Sequence, residues 1–489
     1  MKGDLKQLQH LLGGTLCGNS AEFDGVSIDS RTLPPGALFV ALRGPRFDGH
    51  HYLPQAAARG ATAALVAADH PGAGESASAI PQLQLPDTLA ALSQLAAHHR
   101  RHSNPRLVAI TGSNGKTTVK ELTAAILRQV APTLATEGNL NNHIGVPLTL
   151  LRLRHHPYAV IEMGANHSGE IAHLSSLAAP DVAILNNAGR AHLEGFGSIA
   201  GVARAKGEIV TGLAPNGSLI YNADDLWGDY WYHLPGSYRR IGFTMKHGDR
   251  SSARPAVDRS SARPAVDHPS ARPAVDRSSA RPATNPPILL YGESLDHNRL
   301  RIQSPDWQLE IALQLTGQHN HANALAAAAA AWALAIDPQA IRQGLEQVAP
   351  VRGRLQPRPG RNGASLIDDS YNANPDSVLA AIHHLAQQPG ERCLILGELA
   401  ELGSAAEQHY RELGEAAKTA GIEQLWLIGP ATAAAPTYGP RARCFSDSNA
   451  LLAHALPRLH SEQLILIKGS RRAGLEQVVA GLAAECLLK

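Results

Sequence analysis

Leu107-Val108-Ala109-Ile110, followed by Thr111-Gly112-Ser113-Asn114-Gly115-Lys116-Thr117-Thr118, is the stretch on which the reading of this chain turns. Four apolar residues ahead of a glycine-containing turn predict a buried strand, and Val119, Leu122, Ile126 and Val130 then recur at helical spacing. In a strand–turn–helix of this kind, Gly112 and Gly115 let backbone N–H groups approach phosphate oxygens, and the helix aims its positive end at them. Lys116 would neutralise the β- and γ-phosphates, and Thr117 would offer a hydroxyl to magnesium. The general pattern has glycine where Ile110 stands, so an ordinary glycine-rich turn with a surface lysine is the alternative. The order of the elements favours nucleotide binding. It names no reaction, because motors, switches, transporters, kinases and ligases share this loop. Neither an N-K-x-D nor an L-S-G-G-Q sequence occurs.

Outward from the loop, Ala159–Ile161, Val182–Leu185 and Leu219–Tyr221 are further strand candidates separated by helix-like stretches. Strands alternating with helices predict a mostly parallel sheet covered on both faces. A second such alternation follows, with strands at 366–367, 394–396, 426–428 and 464–467, and helices around 378–385, 406–420 and 451–459. Before the loop, short apolar runs at Leu38–Leu42 and Ala63–Val66 lie among glycine and proline turns. Leu89–Ala97 reads as a helix and His98–Pro105 as a polar, basic connector, with a domain boundary between Pro86 and Pro105. The expected fold class is α/β in three domains: residues 1–87, a central P-loop sheet over 88–336, and a Rossmann-like domain over 337–489.

Composition agrees. A chain of 489 residues is too long for one core, and 44% hydrophobic with 18% charged residues suits a globular protein. A net charge of +2 removes the electrostatic case for a nucleic-acid partner. Cys17, Cys393, Cys444 and Cys486 are far apart without a C-x-x-C pair, which argues against a disulfide framework and fits a cytoplasmic setting. Met1–Leu12 lacks the apolar core of a signal peptide, and the alanine-rich run Ala322–Ile336 is too short to span a bilayer, so no membrane insertion is expected. Residues 251–285 are nearly four copies of S-S-A-R-P-A-V-D-R, with Pro255, Pro264, Pro273 and Pro282 opposing regular structure; they read as a disordered insertion in a surface loop.

Several polar residues gain meaning together. Glu162 ends a strand, where a nucleotide-bound metal would sit, although a solvated strand-end glutamate is as good a reading of position alone. His192 also follows an apolar strand, but it is one of 24 histidines. Lys206 could be a solvated helix lysine paired with Glu208, and Asn320 and Asn323 could be helix caps.

On these residues the chain resembles the Mur ligase family over nearly its whole length, the repeat excepted. The motifs are T-G-S-N-G-K-T-T from Thr111, G-N-L-N-N-H-I-G from Gly138, E-M-G-A from Glu162, A-H-L-E-G-F-G-S from Ala191, A-K-G-E-I from Ala205 and G-Q-H-N-H-A-N from Gly317. D-D-S-Y-N-A-N-P from Asp368, L-G-E-L-A-E-L-G from Leu396 and K-G-S-R from Lys468 are similar to the members that add D-alanyl-D-alanine. The D-N-P-R sequence of the members that add the third amino acid is missing.

The resemblance implies an ATP-dependent, cytoplasmic, monomeric ligase. It would join UDP-N-acetylmuramoyl-tripeptide to D-alanyl-D-alanine through an acyl phosphate in peptidoglycan precursor synthesis. It further implies Mg2+ held by Thr117, Glu162 and His192, with Lys206 carbamylated as a ligand for a second ion. Gly112, Ser113, Asn114, Gly115, Lys116, Thr117 and Thr118 would hold the phosphates. Asn320 would meet adenine, and Arg354 and Asp369 would approach from the C-terminal side. Lys116, Lys206, His192 and Glu162 would carry the catalysis. Ser30, Arg31, Asp48, Gly49 and His50 would face the UDP group, Asn139 and Asn142 the central cleft, and Tyr371, Asn372 and Asn374 the dipeptide. The rivals are another amino-acid or folate polyglutamate ligase of the family and, from a different class, a nucleotide-driven motor or switch.

Overall fold

Strand Arg106–Thr111 buries every residue after Arg106, which only a sheet covered on both faces permits. The computed structural model describes residues 1–70, 80–245 and 287–484, and places this strand in a nine-stranded sheet between Tyr158–Glu162 and Val182–Leu185, parallel to both. Side chains alternate: Leu107 and Ala109 enter the core on one face, Val108 and Ile110 the core on the other. From Thr133–Ala135 to Ile288–Ser294 neighbouring strands are parallel, as expected from the alternation of elements. Beyond them Arg299–Gln303 and Gln308–Ala312 add an antiparallel edge whose exposure alternates, so these strands carry no continuous apolar run to betray them.

Helices Lys116–Arg128 and Gln318–Ala333 cover one face. The second is buried from Asn323 through Ala331, and its alanines let it lie close between the sheet and its neighbour helix. Helix Thr88–Ser103 packs on the other face, against Gly145–Leu151 and Glu170–Ala178. It begins at Asp87, whose carboxylate accepts from Leu89 and Ala90 N–H, and it runs through His98–Ser103, where a connector was expected. The cause is tertiary. Buried Arg100 donates to the carbonyls of Ala178 at 2.8 Å and Ala179 at 3.0 Å, which cap the C-terminal end of a neighbouring helix and hold the basic stretch against the domain.

Beside a two-stranded pair, Lys2–Asp4 with Glu22–Asp24, the described residues form two further sheets. The N-terminal one orders Thr15–Cys17, Gln82–Leu85, Ala63–Ala67, Leu38–Val40 and Val26–Ser27. The C-terminal one orders Gln356–Pro359, Ser365–Asp369, Gln463–Lys468, Glu391–Leu396, Gln424–Ile428 and Ala442–Phe445, parallel except for the first strand, with apolar cores on both faces. Cys17, Cys393 and Cys444 are free thiols. Cys486 and the nonapeptide repeat lie outside the described residues. No helix among the described residues is long and apolar enough to cross a membrane.

Candidate active site

Register brings the chemistry to one edge. Ile110 pairs with Glu162 and Ile184, so Thr111, Glu162 and the Asn186-Asn187 pair emerge together at the strands' C-terminal ends, where open α/β sheets bind ligands. The turn after Thr111 needs glycine at 115: its φ is +78°, and a Cβ there would lie 2.4 Å from Asn323 Oδ1 and 2.6 Å from Asn186 Nδ2. No side chain caps helix Lys116–Arg128, so its first N–H groups remain for an anion. The Lys116 ammonium donates to the carbonyls of Gly112 at 2.7 Å and Ser113 at 3.3 Å. Burial pushes its pKa down, Glu162 opposing the shift and Arg354 adding to it.

Glu162 is buried between two donors. Thr117 Oγ1 donates to its Oε2 at 2.9 Å and Asn141 Nδ2 to its Oε1 at 2.7 Å. A hydroxyl and a carboxylate this close form the oxygen donor set a hard divalent cation prefers. His192 sits in the left-handed region at φ +54°, and its Nδ1 pairs with Glu401 of the C-terminal domain, leaving Nε2 for other use. Lys206 is fully buried beside the Phe196 ring, and among the described residues its Nζ has no hydrogen-bond partner. Burial, and secondarily the charge of Lys116, lowers its pKa to about 7. An amine that loses its proton near neutrality offers the neutral form needed to capture CO2, and the resulting carbamate would supply the oxygens that a lysine lacks.

A cleft of about 720 Å³ opens between the loop and the C-terminal sheet. Residues 113–118, 139, 142, 162, 192, 320, 354, 369, 371, 372 and 374 all line it. Arg354 Nη2 donates to Thr117 Oγ1 at 3.0 Å, and its guanidinium lies on the Tyr371 ring, 4.6 Å from the centroid. Asp369 forms a buried ion pair with Lys468 at 2.6 Å. Asn374 caps helix Pro375–Ala386 through Ser377 N–H and exchanges amide bonds with Asn114. Arg190 reaches across to Asp376 and Glu412, at 2.7 Å in each case.

Asn186, Asn187 and Asn323, to which the sequence reading gave no ligand-binding role, complete the cradle. Asn187 accepts from Asn114 N–H at 2.8 Å, and Asn186 and Asn187 both donate to the Asn114 carbonyl. Asn186 donates also to Asn323, Asn323 to Asn320, and Asn320 to the Thr316 carbonyl. Neither asparagine of the Gly317 segment is therefore an N-cap; that place is taken by Gly317. Asn320 keeps one N–H and one lone pair for a ligand. The doubled asparagines at 141–142 and 186–187, each beside a strand of the loop's own sheet, were the available signal.

Ser30, Arg31, Asp48, Gly49 and His50 are not brought to this cleft. They sit in the N-terminal domain, and local structure occupies most of them. Ser30 bonds Gln55 at 2.7 Å and Arg31 pairs with Asp29. Buried His50 bonds Asp48 through Nδ1 at 2.5 Å and accepts Ala67 N–H at Nε2 at 2.8 Å, which spends both ring nitrogens. A Cβ on Gly49 would lie 2.8 Å from Leu42 N.

Comparison with known proteins follows the same division. Family models match residues 22–100 (Mur ligase family, catalytic domain), 110–261 (Mur ligase middle domain) and 353–471 (Mur ligase, glutamate ligase domain). The UDP-N-acetylmuramoyl-tripeptide–D-alanyl-D-alanine ligase of Escherichia coli (strain K12) is 43% identical over 481 residues, 98% of each chain. A crystal structure of MurF from Acinetobacter baumannii superposes with a TM-score of 0.82 at 31% identity, covering 97% of each chain. MurF ligase from Thermotoga maritima, solved in complex with ADP, has the same fold: TM-score 0.75, 24% identity, 94% of this chain and 96% of that one.

Proposed function

The chain belongs to the Mur ligase family, and from that premise we propose that it joins UDP-N-acetylmuramoyl-tripeptide to D-alanyl-D-alanine at the expense of ATP, in the cytoplasm. The observation that carries the reading is the hydrogen bond from Arg354 to Thr117 across the cleft. Arg354 also lies on the ring of Tyr371, and so links the phosphate loop to the segment, Asp368 to Pro375, that we assign to the acceptor.

A carboxylate resists an amine because its leaving group would be oxide. Transfer of the γ-phosphoryl group to the tripeptide's terminal carboxylate forms an acyl phosphate and ADP. The dipeptide amine then adds to the acyl carbon and loses a proton, and phosphate leaves as the amide forms. Charge moves between anions in the first step, so catalysis lies in positioning and in fixed positive charge. Lys116 exchanges its loop carbonyls for β- and γ-phosphate oxygens. Arg354, already on Thr117, adds a second cation from the opposite wall. The free N–H groups of helix Lys116–Arg128 orient the phosphate chain, and Asn320 uses its remaining amide capacity on the base.

Thr117 and Glu162 would hold Mg2+, with His192 Nε2 alongside and carbamylated Lys206 serving a second ion. The metal, when bound, neutralises phosphate charge. Closure of the C-terminal domain excludes water from the acyl phosphate. His192–Glu401, Asn114–Asn374 and Arg190–Asp376 join Arg354–Thr117 and Arg190–Glu412 in holding the two walls together.

The test is phosphate release with ATP and magnesium, omitting each substrate in turn. Release that needs both substrates, with a ligated product by mass, is expected. Release indifferent to both would indicate a motor or switch, and release supported by a single amino acid would indicate another member of the family.

A further inference from the structure

The acceptor in the proposed reaction carries a free amine at one end and a free carboxylate at the other. The amine must reach the acyl phosphate beside Thr117. The carboxylate, taken out of water, then needs a cation with donors to spare. Among the described residues, four lysine and arginine side chains line the cleft: Lys116, Arg354, Lys468 and Arg471. Three are committed. Lys116 lies on the loop that takes the phosphates, and Arg354 is bonded to Thr117. Lys468 is bound to Asp369 at 2.6 Å and to the Asn372 carbonyl at 3.2 Å.

Arg471 is different. Its one ion-pair partner among the described residues is Glu476, at 3.5 Å, with both side chains largely in solvent. Such a pair is weak and readily exchanged. The guanidinium is nonetheless placed. It lies 5.8 Å from the centroid of the Tyr371 ring, which also carries Arg354 at 4.6 Å. The backbone that carries the ring is held close to its neighbour: Tyr371 N–H donates to Gly353 O at 3.1 Å, and a Cβ on Gly353, whose φ is +71°, would meet Tyr371 Cβ at 3.1 Å. A row of contacts, Thr117 to Arg354, Arg354 to the Tyr371 ring and the ring to Arg471, thus runs from the phosphate loop to this guanidinium.

We propose that Arg471 binds the terminal carboxylate of the acceptor, with Tyr371 as the spacer that sets its distance from the phosphate side of the cleft. This rests on the dipeptide-ligase reading above. Arginine suits the task because its planar fork meets a carboxylate through two parallel N–H bonds, and the aromatic face orients it beforehand.

The experiment compares D-alanyl-D-alanine with D-alanyl-D-alaninamide, which keeps the amine and loses the negative charge, in the wild type, Arg471→Met and Arg471→Lys. Phosphate release and product mass are read together. The wild type should prefer the carboxylate by about 10- to 100-fold in kcat/KM, the range of one charge-assisted hydrogen-bond pair. In Arg471→Met the KM for the dipeptide should rise by a similar factor, with kcat at saturation within about threefold and the preference over the amide nearly gone. Arg471→Lys should recover part of it. An Arg471→Met protein that still prefers the carboxylate, or a wild type that accepts both equally, overturns the assignment. A wild type that ligates neither acceptor overturns the dipeptide reading itself, a distinguishable result.

Discussion

Asn114, in the phosphate loop, and Asn374, at the head of helix Pro375–Ala386, donate amide hydrogen bonds to each other, the shorter at 2.8 Å, across the line between the central and C-terminal domains. Asn374 also caps its helix. The two duties can be separated. Asn374→Ala loses both and should cost about 1 kcal/mol of stability. Asn374→Ser keeps the cap and should unfold in urea like the parent. Both should lose about tenfold in turnover, because domain closure is weakened. Urea unfolding and phosphate release on the two variants check this; equal stability losses would mean the cap is not what Asn374 contributes to folding.

Lys116 has no carboxylate partner among its hydrogen bonds, only loop carbonyls. Lys116→Ala should therefore fold and melt like the parent while phosphate release falls by about 10²- to 10³-fold, the cost of one transition-state donor.

Glu162→Gln preserves the shape of the side chain and leaves an amide for Asn141 and Thr117 to bond. The charge is lost. The magnesium concentration giving half-maximal turnover should rise by more than about tenfold, with the melting temperature little changed. A magnesium titration beside a thermal melt decides; an unaltered magnesium midpoint would remove Glu162 from the ligand set.

Lys206 releases its proton at about 7 in the folded protein, against an ordinary 10.5 that the unfolded chain retains. Between those values the unfolded state binds more protons, so stability should rise with pH from about 7 upward and be lost as pH falls back toward 7. Lys206→Met should flatten that rise. In parallel, turnover of the parent should fall in CO2-depleted buffer and recover on addition of bicarbonate. Denaturant unfolding at several pH values and the bicarbonate response are independent readouts.

The loop, the parallel strands around it and the three-domain α/β class were legible because buried parallel strands are continuous apolar runs, and glycine with lysine between strand and helix is a local pattern. Glu162 stood out at a strand end, where position alone read equally well as a solvated glutamate; its burial between Thr117 and Asn141 is what the fold adds. What escaped has no local signature. His192–Glu401 joins residues 209 apart and Asn114–Asn374 residues 260 apart. The extension of helix Thr88–Ser103 through Arg100 depends on carbonyls 78 and 79 residues away. The group at Ser30–His50 lies in the N-terminal domain, where local bonds also account for Gly49 and His50, and its contact with the UDP group rests on motif resemblance.

The row of asparagine amides beneath the phosphate loop runs one way. The Thr316 carbonyl can only accept, which fixes the orientation of Asn320, and through it those of Asn323 and Asn186, up to the carbonyl of Asn114. No amide in the row can be turned over without setting like against like, N–H on N–H or oxygen on oxygen. Hydrolysis of any one to aspartate would replace a donor with a negative charge close to where phosphate must lie. The cradle therefore has one polarity, with its donors turned toward the loop, and tolerates neither a turned amide nor an added negative charge.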